Sequence, residues 1–172
     1  VSELDVEVFR SVISTVRASR QLPPTLVGEA LHVYACKHLV DPLRAGANGQ
    51  AQSAAAEETL ARQRRVLESI VTMIPAEPGS VTGRFLLRLL RVANYVSASS
   101  STRAQLIRQA GSQLHEARAA DLLIPLPSDP QAYDVGAAEA VLEHFLAQFQ
   151  RPAAPDERRR MSAAMDKVAR IF

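Results

Sequence analysis

The stretch from Gly79 to Pro125 constrains the fold more than any other. A Pro78-Gly79 turn opens it, and an apolar helix is expected from Val81 to about Ala98. Phe85, Leu86, Leu89, Leu90, Ala93 and Val96 recur there at helical spacing. A face that wide has to be covered by other helices. Ser97 to Ser101 forms an elbow, and a second amphipathic helix follows, with Leu106, Ile107, Ala110, Leu114 and Ala117 inward. Ser80 is expected to cap the first helix, and Thr102 with Gln105 to form a capping box on the second. One short turn over Ala120 to Ile124 leads to Pro125.

The flanking segments read as helices too. Ser2 to Ser19 carries Leu4, Val8, Phe9, Val12, Ile13 and Val16 as its apolar stripe. Thr25 to Leu39 has Thr25 as cap and Leu26, Val27, Ala30, Leu31, Tyr34 and Ala35 as its buried face, ending at Asp41-Pro42. Residues 43–53 are small, polar and Gly-containing, which predicts a mobile loop. Ala55 to Ile74 turns Leu60, Leu67, Ile70, Val71 and Ile74 inward and Arg62, Arg64, Arg65 and Glu68 to water, with Arg64 and Glu68 spaced as an i,i+4 pair. Asp134 is expected to cap Val135 to Gln150, whose core face is Val135, Ala138, Val141, Leu142, Phe145, Leu146 and Phe149. A linker at 151–155 precedes a last helix with Met161, Ala164, Met165, Val168 and Phe172 on one side. No segment shows a convincing strand period. The predicted fold is all-α, a multi-helix bundle or helical-repeat-like array of about seven to eight helices.

Composition enters where it excludes functions. Aromatics are 5% with no Trp, so the core is aliphatic. A net charge of +2 does not call for nucleic acid or an anionic membrane. Cys36 is a single cysteine, so no intramolecular disulfide can form, which fits a reducing, cytoplasmic setting. Apolar runs are too short to span a membrane, and no leader segment is read at the start. The 172 residues are expected to form a single helical domain, a fragment of a longer protein.

No catalytic constellation is present, and no enzyme activity, cofactor or metal is predicted. His32 and His38 are six apart and do not share a helix face, and neither a zinc nor a redox motif occurs. Cys36 has His32 one turn before it, and reads as a small buried thiol beside a partly exposed imidazole. Gly79 to Gly83 lacks the lysine and preceding strand of a phosphate loop. Arg84, Arg88 and Arg91 make a basic ridge opposite the apolar face, read as a solvated face and a candidate partner surface. Tyr133 and Asp134 are a second candidate partner contact, with Asp134 also capping. Ser99, Ser100, Ser101 and Tyr133 are candidate phosphorylation sites.

Several blocks occur together in order: VFRSVISTVRASRQLPPTLVGEALHVYACKHL, LESIVTMIPAEPGSVTGRFLLRLLRVA, STRAQLIRQAGSQLHEARAADLLIP and YDVGAAEAVLEHFL. This set resembles the helical domain of the plant non-phototropic hypocotyl / root phototropism family, in which that domain follows a BTB domain. The resemblance covers nearly the whole chain and implies the N-terminal half to two-thirds of that domain. Gly136 stands where the family usually has an acid after Tyr-Asp-Val.

The resemblance implies a signalling adaptor whose helical domain binds proteins, similar to substrate adaptors of cullin 3 BTB ubiquitin ligases in phototropin (blue-light) or auxin-linked signalling. Implied partners are a phototropin-type receptor kinase, cullin 3 through a BTB domain outside this chain, or family members, including as homo- or hetero-oligomers. Nucleic acid is not expected, and membrane association is indirect, at the inner face of the plasma membrane. One alternative is a structural domain supporting an adjacent BTB domain or oligomer. Another is a nucleic-acid-binding helical module using the arginine ridge.

Overall fold

The computed structural model describes residues 3–19, 21–42, 54–126, 129, 131–150 and 155–170. Among them are seven α-helices: α1 (Glu3–Ser19), α2 (Pro24–His38), α3 (Ala54–Met73), α4 (Gly83–Tyr95), α5 (Ser100–Ser112), α6 (Val135–Ala147) and α7 (Pro155–Ala169). Three short 3-10 turns lie at Leu114–Glu116, Ala119–Leu122 and Gln148–Gln150. The all-α expectation holds, and the only β pairing among the described residues is an isolated bridge between Pro125 and Tyr133. The loop expected at 43–53 and the first four residues of the linker lie outside the described residues.

Helix α4 is the centre, packed on α3, α5 and the first two 3-10 turns. Phe85, Leu86, Leu87, Leu89, Leu90, Val92 and Ala93 are all buried. Burial therefore reaches almost all round the helix rather than one face. Each fully buried leucine contributes roughly 1.5–3 kcal/mol relative to exposure. The cap is Thr82, whose Oγ1 accepts from the Phe85 amide at 3.3 Å. Ser80, the expected cap, is instead buried, and its hydroxyl donates to the Pro75 carbonyl. The helix also starts later than the apolar pattern suggests, because Val81 packs inward from the turn.

The end of α4 is a Schellman turn. Ala98 N–H donates to the Ala93 carbonyl at 2.8 Å and Ser97 N–H to the Asn94 carbonyl at 3.2 Å. Ser97 takes the left-handed position, with φ 51, that glycine usually fills. Two α3 side chains clamp this elbow. Arg64 Nε donates to the Val96 carbonyl at 2.8 Å, and Glu68 Oε1 accepts from the Ser99 amide at 3.1 Å. The pair expected within α3 thus reaches across to orphan backbone groups, which are stronger claimants than an exposed ion pair. Ser99 caps α5, accepting from the Thr102 amide, so the cap lies three residues before the expected Thr102 and the Thr102–Gln105 box does not form. Gln105 donates to the Val71 carbonyl instead.

The outer helices follow their stripes with shifts. On α1 the inward line is Val6, Phe9, Ile13 and Val16, while Val8 and Val12 are exposed. The Phe9 ring stacks on Tyr34 of α2 at 3.9 Å, joining the two helices. On α2, Val27, Leu31 and Ala35 are buried but Leu26 is exposed. Pro23 and Pro24 set its first turn without a side-chain cap, so Thr25 lies inside the helix rather than capping it. Gly28 passes so close to the 80–81 turn that a Cβ there would lie 1.7 Å from the Ser80 carbonyl oxygen. On α6, Asp134 caps as expected, accepting from the Ala137 amide at 3.0 Å. Ala137, Val141 and Phe145 are buried there, whereas Val135 and Leu146 face water. Val168 of α7 closes against the core beside Ala164 and Met165.

Candidate functional site

The arginine row of α4 lies beside the end of α2 and the 3-10 turn at Ala119–Leu122. Arg84, Arg88 and Arg91 occur one turn apart, as the spacing requires, but they are not a uniformly solvated ridge. Their side chains are 50%, 20% and 9% exposed in that order. The row descends from surface to interior: Arg91 is covered by both Asp41 and the Asp121 carbonyl, whereas Arg84 meets only the Asp121 carboxylate among the described residues.

Acids from two other segments meet it. Arg84 Nε lies 3.2 Å from Asp121 Oδ2. Asp41 Oδ2 lies 3.4 Å from Arg88 Nε and 3.6 Å from Arg91 Nη2. Arg91 Nη1 donates to the Asp121 backbone carbonyl at 3.4 Å. Asp41 is itself buried, so the Asp41–Arg91 contact is a desolvated ion pair rather than a surface one. Buried Arg91 Nε has no acceptor among the described residues. Nearby, Glu116 Oε2 accepts from the Gly83 amide at 2.9 Å, neutralising the positive end of α4.

These groups line a cleft of about 510 Å³ with His32 and Phe85. The His32 ring packs on Phe85 at 4.9 Å. Burial, and then the Arg88 charge, hold its pKa below the ordinary histidine value. Cys36 is exposed, contrary to the buried thiol expected, and its sulfur accepts from Arg88 Nη1 rather than meeting His32. Among the described residues, no three His, Cys, Asp or Glu side chains converge as a metal site, and no helix is long and apolar enough to cross a membrane.

The second candidate pair lies elsewhere. Asp134 accepts from Asn94 Nδ2 at 3.2 Å and Arg103 Nη2 at 3.3 Å as well as capping α6. Asn94 also donates to the Pro125 carbonyl. Asp134 N–H donates to the Ile124 carbonyl at 2.7 Å. Asp134 is therefore a junction tying α4, α5, α6 and the DLLIP segment. Tyr133 beside it is half-exposed. Ser100 and Ser101 are exposed in the first turn of α5, while the Ser99 hydroxyl is engaged as its cap. Among the described residues, Tyr133 and these serines are not part of the arginine cleft.

Sequence reasoning missed Asp41, Asp121, Glu116 and Asn94. Asp41 reads as a helix terminator and Asp121 as part of a short apolar tail. Only knowing which segments meet α4 assigns them as counter-charges.

The fold and this ion-paired face define an all-α domain built around one buried central helix. The chain belongs to the NPH3 family, whose model matches residues 1–172. It is 42% identical over 153 residues to a BTB/POZ domain-containing protein of Arabidopsis thaliana, covering 88% of this chain and 27% of that protein. A second such Arabidopsis protein is 34% identical over 179 residues, covering 99% of this chain and 28% of that protein. Root phototropism protein 3 of Arabidopsis thaliana is 37% identical over 111 residues, covering 63% of this chain and 15% of that protein. The chain spans about a quarter of the length of the first two relatives. No solved structure matches it.

Proposed function

We propose that the chain is the protein-interaction domain of a plant signalling adaptor. A BTB domain elsewhere in the protein would engage cullin 3, and this domain would hold a phototropin-type receptor kinase or another substrate for ubiquitination. The domain has no catalytic role in this reading and works at the cytoplasmic face of the plasma membrane. The single observation behind it is family membership together with BTB/POZ relatives and a root phototropism protein.

The test is co-precipitation of the full-length protein, with and without this domain, from plant tissue. Deletion is expected to abolish recovery of the receptor kinase while cullin 3 is still recovered. Unchanged receptor recovery after deletion refutes the reading. Loss of cullin 3 and of self-association instead assigns the domain a structural role beside the BTB domain.

A further inference from the structure

The cleft beside α4 has more donors than its acids use. Asp41 is shared by Arg88 and Arg91. Asp121 Oδ2 is shared by Arg84 and the Arg118 amide, and Glu116 is engaged on the Gly83 amide. Among the described residues Arg84 bonds only through Nε, so neither terminal nitrogen has an acceptor there. Arg88 uses Nε and Nη1, leaving Nη2. These two guanidinium groups start one helical turn apart, about 6 Å along the axis. The carboxylates behind them fix their orientation, which lowers the entropy lost on capturing a ligand.

We propose that this cleft binds a phosphorylated serine or threonine side chain of a partner protein. The proposal rests on the adaptor reading above and names the chemistry of the partner. A phosphate offers three oxygens and close to two negative charges, enough for both Arg84 and Arg88 without displacing Asp41 or Asp121. A carboxylate offers two oxygens and one charge, similar to what the site already contains. The volume of about 510 Å³ exceeds a single phosphate group and leaves room for the flanking residues of a segment. Arg91 does not touch the ligand; it is buried, and anchors Asp41 beneath Arg88.

The test follows the arginine Nε–H signals of the full chain by NMR during titration. The probes are Ala-Ala-phosphoserine-Ala-Ala, its serine and glutamate counterparts, and inorganic phosphate. Saturable shifts of Arg84 and Arg88 with the phosphopeptide are expected, with the glutamate peptide weaker by roughly tenfold or more. Arg84→Gln and Arg88→Gln are each expected to weaken phosphopeptide binding by roughly tenfold. Arg84 is half exposed, so its variant tests the site even where loss of Arg88 disturbs the fold. Identical shifts with the unphosphorylated peptide, or unchanged affinity in Arg84→Gln, overturn the proposal. Saturation by inorganic phosphate but not by the phosphopeptide also overturns it, and leaves a free-anion site. Receptor recovery that persists in the full-length Arg84→Gln/Arg88→Gln protein refutes this site while leaving the adaptor role standing.

Discussion

Replacing Gly28 with alanine should destabilise the domain, although alanine favours a helix over glycine by about 1 kcal/mol. The added Cβ would meet the Ser80 carbonyl oxygen at 1.7 Å, its carbonyl carbon at 2.8 Å and Val81 Cγ1 at 3.0 Å. Restoring van der Waals separation requires the backbone to retreat by about 1.5 Å. That backbone is held. Ser80 is buried, its amide donates to the Glu77 carbonyl, and its hydroxyl donates to the Pro75 carbonyl. Overpacking usually costs about 1–3 kcal/mol, and a clash with anchored backbone belongs at the upper end. The net loss is about 2 kcal/mol, or roughly 4–8 °C in Tm for a chain this long. Gly136→Ala supplies the control. Its Cβ would meet nothing closer than 3.6 Å, so no clash is added, and in the first turn of α6 the helix preference stabilises by at most about 0.5 kcal/mol. Urea and thermal unfolding followed by circular dichroism measure both. A Gly28→Ala protein as stable as the parent, with an unchanged urea slope, refutes the close-packing argument.

Asp41→Asn should cost about 3 kcal/mol in urea unfolding, because it strips the counter-charge from buried Arg91; an Arg91→Met/Asp41→Asn double variant should recover much of it. Asp134→Ala removes the α6 cap and the acceptor for Arg103 and Asn94, with an expected loss of about 2 kcal/mol and faster amide exchange in the first turn of α6. Ser97→Gly relieves the left-handed position and should stabilise by about 1 kcal/mol in the same unfolding assay. The lowered pKa of His32 means the unfolded chain takes up its proton first. Its contribution to stability is therefore intact above about pH 6.5 and declines as pH falls from there towards the folded-state value. His32→Gln should flatten that part of the Tm-versus-pH curve, and Arg88→Gln should raise the NMR titration midpoint of His32.

Local signals made the helices legible. Prolines at 23, 24, 75 and 78 bound them, and the apolar repeat of residues 85–96 placed the central one. The buried line was less legible where helices are covered from one side. Val8 and Val12 look like Leu4 and Phe9 in the chain, yet α3 and α2 approach α1 along the Val6–Ile13 edge. Caps slipped for a similar reason. Ser80 and Thr82 are both plausible caps, and only the packing of Ser80 against the 75–80 turn excludes it. The site residues were half legible. Periodicity placed Arg84, Arg88 and Arg91 on one side of α4, but their burial gradient depends on long-range partners.

That gradient also determines which arginines can serve recognition. Asp41 joins the end of α2 to α4 through Arg88 and Arg91, and Asp121 joins the DLLIP segment to α4 through Arg84 and Arg91. Arg91 is therefore held from both sides at the nearly buried end of the cleft, and its loss would weaken binding chiefly by weakening the fold. Arg84 retains half its surface and both terminal nitrogens, so its loss should leave the helix packing intact. Variants of Arg91 that reduce partner recovery should lower Tm in parallel, whereas variants of Arg84 should reduce recovery with no change in Tm. The three arginines share one sequence spacing, yet Asp41 and Asp121 divide them into one that builds the domain and two that can face a partner.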